Sequence, residues 1–196
     1  MSIDIKLISQ LREMSGAGVS ECQKALVETA GDLNAAIEIL RKKGEAKAAK
    51  KTAERTTKDG LVCSYIHGNG KLGVLLELLC ETDFVARNEV FKQLATDIAM
   101  HIAAMAPEYV REEDVPAEVV AKEKEIYLEQ MAEEKKPDAI KEKIIEGKLK
   151  KFYEEICLVK QSFIKDETKT IEELIKEAIA KIGEKIEIGK FVRFKI

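Results

Sequence analysis

Gly60-Leu61-Val62-Cys63-Ser64-Tyr65-Ile66-His67-Gly68-Asn69-Gly70-Lys71-Leu72-Gly73-Val74-Leu75-Leu76-Glu77-Leu78-Leu79-Cys80 decides the fold class of this chain. Gly60 to Ile66 reads as one strand and Lys71 to Cys80 as a second. Between them, His67-Gly68-Asn69-Gly70 carries the Asn-Gly pair that favours a tight hairpin. A period of two puts Leu72, Val74, Leu76, Leu78 and Cys80 on one face. Two strands alone are marginal in water, so a third is required. Ile186, Ile188, Val192, Phe194 and Ile196 alternate in the same way on a terminal strand broken by Gly189. The expectation is a three-stranded antiparallel sheet built from the hairpin and this strand.

Working outward, the rest is helical in period. After Cys80, residues Thr82 to Asn88 join the buried strand to a long helix. Asn88 is placed to cap that helix, with Glu89 at its positive end. Phe91, Leu94, Ile98, Ile102 and Met105 recur at three or four and form its core stripe, and Pro107 closes it. His101 lies beside the stripe and reads as a packed histidine rather than a ligand. Residues 111–157 are charge-dense. A helix runs from about Pro116 to Lys135 with Val119, Val120, Ile126, Tyr127 and Met131 on one arc. Another follows Pro137 to about Cys157 with Ile145, Leu149, Phe152 and Ile156 in a stripe. These helices either pack on the sheet or project as a helical hairpin. Thr170-Ile171-Glu172-Glu173 is a capping box that opens a helix through Leu174, Ala178 and Ile182 to Gly183.

On the N-terminal side, residues 1–43 read as three short amphipathic helices. Ser2 caps the first, which carries Ile5, Ile8 and Leu11, and Gly16-Ala17-Gly18 ends it. The second, from about Val19 to Thr29, presents Cys22, Ala25 and Leu26. Gly31-Asp32 stops that helix and caps the third, which buries Leu33, Ala36, Ile37 and Leu40. Residues 44–58 are basic and poor in large apolar side chains, and read as a charged helical linker. Three parts are expected: the helical module 1–43, the linker 44–58, and an α+β core 59–196 with the helical segment 111–157.

Composition limits the function classes. Of 196 residues, 33 are Lys or Arg and 36 Asp or Glu, giving a net charge of −3. That balance argues against nucleic-acid binding through bulk positive charge, and the absence of Trp removes the best stacking residue. The excess of Lys and Glu over aromatic residues has the character of ion-pair-rich thermophilic proteins. No apolar run is long enough to suggest a membrane helix, and no secretory signal is expected from Met1 to Lys6. Cys22, Cys63, Cys80 and Cys157 lie far apart, in apolar surroundings and without a C-x-x-C pair. They read as reduced thiols of a cytoplasmic protein, and no metal site or cofactor is expected. Gly68 and Gly70 are not followed by a phosphate-loop pattern. Two histidines leave little scope for acid–base chemistry near neutral pH, so the protein is not expected to be an enzyme. The unusual feature is Asp83-Phe84 between strand and helix. Phe84 either anchors a partner from an exposed position or folds back into the core.

Three stretches carry a family resemblance. Leu11-Arg12-Glu13-Met14-Ser15-Gly16-Ala17-Gly18-Val19-Ser20-Glu21-Cys22-Gln23-Lys24-Ala25-Leu26 resembles the N-terminal signature of the elongation factor Ts family, L-R-x-x-T-G-A-G-x-x-x-C-K-x-A-L, with Ser15 and Gln23 as mild departures. Glu77-Leu78-Leu79-Cys80-Glu81-Thr82-Asp83-Phe84-Val85-Ala86-Arg87-Asn88 is similar to its second signature, E-x-x-C-x-T-D-F-V-A-[KR]-N. Gln161-Ser162-Phe163-Ile164-Lys165-Asp166 with Lys169-Thr170 resembles a third stretch. The resemblance implies a guanine-nucleotide exchange factor for elongation factor Tu. It implies an N-terminal ubiquitin-associated-like module that docks on the GTPase through Arg12, Val19 and Ser20, where Val19-Ser20 replaces a bulkier Met-Met. It also implies that Thr82, Asp83, Phe84 and Val85 enter the GTPase and dislodge the magnesium and phosphates of GDP. Longer members carry two related core subdomains, whereas this chain has strands for one sheet, so a homodimer is implied. The rival reading is a ubiquitin-associated-like adaptor without exchange activity, in which 82–88 has no part.

Overall fold

The computed structural model describes residues 4–68, 70–131 and 137–196. The chain is α+β. Three N-terminal helices are followed by a three-stranded antiparallel sheet with helices around it, as the sequence indicates. The chain divides into two compact units. The first comprises Met1–Leu61, Leu79–Leu94 and Glu173–Glu187. The second comprises Val62–Leu78, Ala95–Glu172 and Ile188–Ile196.

In the first unit, helices α1 (Ile5–Ser15), α2 (Val19–Glu28) and α3 (Leu33–Glu54) pack their apolar stripes together. Leu11, Cys22, Ala25, Leu26 and Ala36 are buried, with Ile8, Leu33, Ile37 and Leu40 against them. Ile5, expected in this stripe, is exposed instead, because it stands at the very start of α1 where no later turn covers it. Ser2 lies outside the described residues. Asp4 caps α1, its carboxylate accepting the Lys6 N–H at 2.9 Å. Gly16 ends the helix at φ 66°, a left-handed conformation that glycine adopts without strain. Asp32 caps α3 by accepting the N–H groups of Asn34 and Ala35. That helix continues through most of the residues read as a linker.

The hairpin strands are β1 (Asp59–His67) and β2 (Leu72–Cys80). Its turn is closed by the Gly70 N–H on the His67 carbonyl, while Asn69 lies outside the described residues. Val74, Leu76, Leu78 and Cys80 are buried at the expected period of two. Strand β5 (Glu187–Lys195) pairs with the other edge of β2, giving the order β1-β2-β5. The Ile196 N–H reaches the Lys71 carbonyl, so the end of β5 meets the start of β2 and the two run antiparallel. Gly189 does not break this strand. A Cβ there would meet the end of the Glu77 side chain of β2, which would have to swing aside. The alternation also changes side beyond it. Ile186 and Ile188 are buried, but Val192, Phe194 and Ile196 are exposed, and Arg193 turns inward to donate to the Ala103 carbonyl.

In the second unit, helix α5 (Glu89–Met105) contributes Ala95, Ile98, Ala99, Ile102 and Ala103 to the core. Met105 is exposed rather than part of the stripe, because the chain leaves the helix at Ala106. His101 is buried, as its position beside the stripe suggests. Helices α6 (Ala117–Gln130) and α7 (Asp138–Ile156) lie side by side as a helical hairpin. Lys148 joins them, donating to Gln130 at 2.7 Å and standing 5.0 Å from the centre of the Tyr127 ring. The α6 arc is only half-covered and Ile126 is exposed, since one neighbouring helix covers a narrow stripe. The segment to Lys135 expected in this helix lies outside the described residues. A short hairpin of β3 (Ser162–Phe163) and β4 (Asp166–Thr170) precedes helix α8 (Ile171–Ile182).

Candidate functional site: an exposed phenylalanine on a strand-to-helix corner

Strand β2 ends by burying Cys80, and the chain then turns out of the sheet into a single helical turn, α4 (Asp83–Ala86). Thr82 is extended, at φ −134° and ψ 155°, as residues that begin helices are. The Ala86 and Arg87 N–H groups bond the carbonyls of Thr82 and Asp83 at 3.2 and 3.1 Å, closing the turn. The next helix starts at once, since Asn88 accepts the Val90 N–H at 2.8 Å. A turn this short cannot cover every side chain that it carries. Val85 and Ala86 are half-buried, and Phe84 is 82% exposed. The sequence left open whether Phe84 points outward or inward; it points outward. Surfaces shed large aromatics because each costs about 1.5–3 kcal/mol left in water, so an isolated exposed Phe on a fixed turn is a candidate anchor.

The corner is held from behind by groups distant in sequence. Glu184, just past the end of α8, accepts the N–H groups of Glu81 and Thr82 at 3.2 and 3.1 Å and the Thr82 hydroxyl at 2.7 Å. The Thr82 hydroxyl therefore faces Glu184 and does not cap its own helix. Glu81 returns the arrangement by accepting the Lys185 N–H at 2.6 Å. Arg55 places one nitrogen 3.1 Å from both oxygens of Glu81 and 3.5 Å from the Gly183 carbonyl. The Cys80 thiol donates to the Thr82 carbonyl at 3.2 Å. Burial pushes that thiol up to about 11, with the Glu184 charge adding to the effect, so it stays protonated and inert near neutral pH. Asp83 pairs with Arg87 at 3.0 Å in the open, where such a pair contributes about 1 kcal/mol or less and is readily exchanged for another partner.

Arg12, Val19 and Ser20 flank the turn between α1 and α2 in the same unit. Arg12 lies in the last turn of α1, Val19 and Ser20 in the first turn of α2, and all three are exposed. Ser15 fixes the turn between them, donating to the Leu11 carbonyl at 2.6 Å and accepting the Ala17 N–H at 3.3 Å. Met14, in the last turn of α1, is exposed, as is Val19. Both groups of expected site residues thus fall within the first unit. Sequence reasoning missed Arg55, Glu81 and Glu184. Glu184 meets Thr82 across 102 positions, and no local pattern announces such a pairing.

Among the described residues, no group of three or more His, Cys, Asp or Glu is placed to hold a metal ion. Nor is any described helix long and apolar enough to cross a membrane. The site thus offers an aromatic side chain, a carboxylate and a fixed backbone, which are tools for binding.

The family model described as Elongation factor TS matches residues 6–196. The chain is 58% identical to an Elongation factor Ts of Thermosipho melanesiensis over 194 residues, covering 99% of this chain and 98% of that one. It is 58% identical to that of Fervidobacterium nodosum over 196 residues, covering 100% and 99% of the two chains. With that of Thermotoga maritima it shares 57% identity over 196 residues, covering 100% and 97%. The chain belongs to the elongation factor Ts family, which places its work in translation elongation.

Proposed function

We propose that the protein is a guanine-nucleotide exchange factor for elongation factor Tu. In this reading the exposed turn around Arg12, Val19 and Ser20 docks the N-terminal module on the GTPase. Thr82, Asp83, Phe84 and Val85 then enter the nucleotide domain. Phe84 separates elements of the partner, and Asp83 with its backbone disturbs the partner's magnesium and phosphate site. The observation that carries the reading is the 82% exposure of Phe84 on a corner braced by Glu184 and Glu81. An adaptor reading gives that corner no task.

Such a factor breaks no covalent bond. It binds the empty GTPase more tightly than the loaded one, and by linkage it weakens GDP binding by the same ratio. A thousandfold weakening corresponds to about 4 kcal/mol, at 1.4 kcal/mol per tenfold. Burying Phe84 in a partner's pocket contributes about 1.5–3 kcal/mol, so the aromatic alone is insufficient. Loss of the magnesium ion, which neutralises the phosphates, supplies the remainder.

Stopped-flow release of a fluorescent GDP from elongation factor Tu tests the proposal. Phe84→Ala is expected to slow release at saturating factor by at least about tenfold, as loss of a buried aromatic anchor does. An unchanged rate refutes the role of the finger.

The outer face of the sheet supports the homodimer that accompanies this reading. Val62, Ile66 and Phe194 are 69%, 63% and 64% exposed, and Leu75 and Val192 are exposed with them. All five lie in the second unit, on strands of one sheet. Packing this face against its copy would build a two-layer sandwich, the usual way for a sheet with two apolar faces to leave water.

A further inference from the structure

We infer that Glu184 is the positioning residue of the finger: its carboxylate, held at the end of α8, fixes the direction in which Thr82-Asp83-Phe84 leaves the sheet. The inference rests on the exchange reading above and deepens it.

Four observations carry it. First, one side chain satisfies three donors at a single corner: the N–H groups of Glu81 and Thr82 and the Thr82 hydroxyl. Hydrogen bonds to an ionised acceptor are about twice as strong as neutral ones. Second, the contact is reciprocal, because Glu81 accepts the N–H of Lys185, the residue after Glu184. Two backbone segments are therefore pinned to each other at two points, which removes the hinge freedom that a single bond leaves. Third, the clasp has its own counter-charge in Arg55, which lies against Glu81 and the Gly183 carbonyl. Two adjacent carboxylates would otherwise repel. Fourth, helix α4 has a single turn, with Val85 and Ala86 half-buried and no residue fully buried, so packing alone holds it weakly. An isolated turn of helix is unstable, and its direction has to come from elsewhere.

A wedge acts only if its anchor arrives in position. If the corner swings, ordering it opposes the step in which the finger engages, after the partner is already bound. Loss of the clasp should therefore lower the maximal rate of GDP release more than the affinity for the partner's GTPase domain, which the Arg12, Val19 and Ser20 surface supplies.

The test uses the full-length factor with elongation factor Tu loaded with fluorescent GDP, and compares wild type, Glu184→Ala, Glu184→Gln, Phe84→Ala and the Glu184→Ala/Phe84→Ala double variant. Amide hydrogen exchange at Glu81 and Thr82 is followed in each free protein. In Glu184→Ala, protection at those two amides should fall and release at saturating factor should slow about tenfold. The Michaelis constant for the factor should change less than threefold. Glu184→Gln keeps an acceptor oxygen and should recover part of the rate. In the Phe84→Ala background, Glu184→Ala should cost nothing further. Unchanged protection at Thr82 overturns the clasp and leaves the finger reading intact. An equal loss of rate in both backgrounds shows that Glu184 acts other than through Phe84, and overturns the proposal. A Phe84→Ala factor with full activity sinks the finger reading itself, and the positioning role with it.

Discussion

His101 and its surroundings show how one side chain ties elements together. Its Nδ1 accepts the Ile164 N–H at 3.2 Å, which leaves Nε2 to donate to Gln161 Oε1 at 3.0 Å. Gln161 in turn donates to the Glu155 carbonyl at 2.6 Å. Both ring nitrogens are thus used by the neutral form, and a proton on Nδ1 would face another N–H. Burial lowers the pKa of His101 below its ordinary value of 6.5. The unfolded chain therefore takes up a proton that the folded chain refuses. The stability contributed by the neutral ring is complete above pH 6.5, falls as pH drops through the folded-state pKa, and levels off below it. Urea melts taken downward from pH 7 should show this decline setting in below pH 6.5. His101→Gln, which cannot titrate, should flatten it. An equal slope in the variant contradicts the assignment. Phe84 behaves in the opposite way at this scale. Its ring is in water, so Phe84→Ala should leave the melting curve within about 0.5 kcal/mol of wild type, and any effect on exchange is then not a folding effect.

Elements differ in how plainly the sequence announces them. The alternation of Val74, Leu76, Leu78 and Cys80, the Gly70 turn and the Asp32 cap are local patterns with local causes, and each forms where the pattern places it. The third strand was visible by its period, but its face was not. Beyond Gly189 the buried positions change from Ile186 and Ile188 to the side of Arg193, a change that the sequence period does not announce. The β3–β4 hairpin has two- and five-residue strands, too short for periodicity to show. At the site, the exposed corner was marked by Asp83-Phe84 between a strand and a helix start. Its brace was not, because Arg55, Glu81 and Glu184 meet only after the chain has folded. Motif reading found the tip of the finger, and the structure adds what holds it.

At the scale of the whole molecule, one unit carries the exposed turn of Arg12, Val19 and Ser20 and the Phe84 corner, and the other carries the apolar sheet face. For the proposed homodimer, Phe194→Asp places a charge on that face and should give a monomer in sedimentation equilibrium while leaving the circular dichroism spectrum unchanged. A variant that sediments like wild type would show that the face is not the interface. Exchange of the proposed kind requires preference for an empty GTPase over a loaded one. Isothermal titration of the factor into nucleotide-free and GDP-loaded elongation factor Tu, with wild type and Phe84→Ala in parallel, measures it directly. Wild type should bind the empty form about a thousandfold more tightly, a coupling near 4 kcal/mol, and Phe84→Ala should lose at least tenfold of that preference. Equal affinity of the wild-type factor for the two forms would contradict the account.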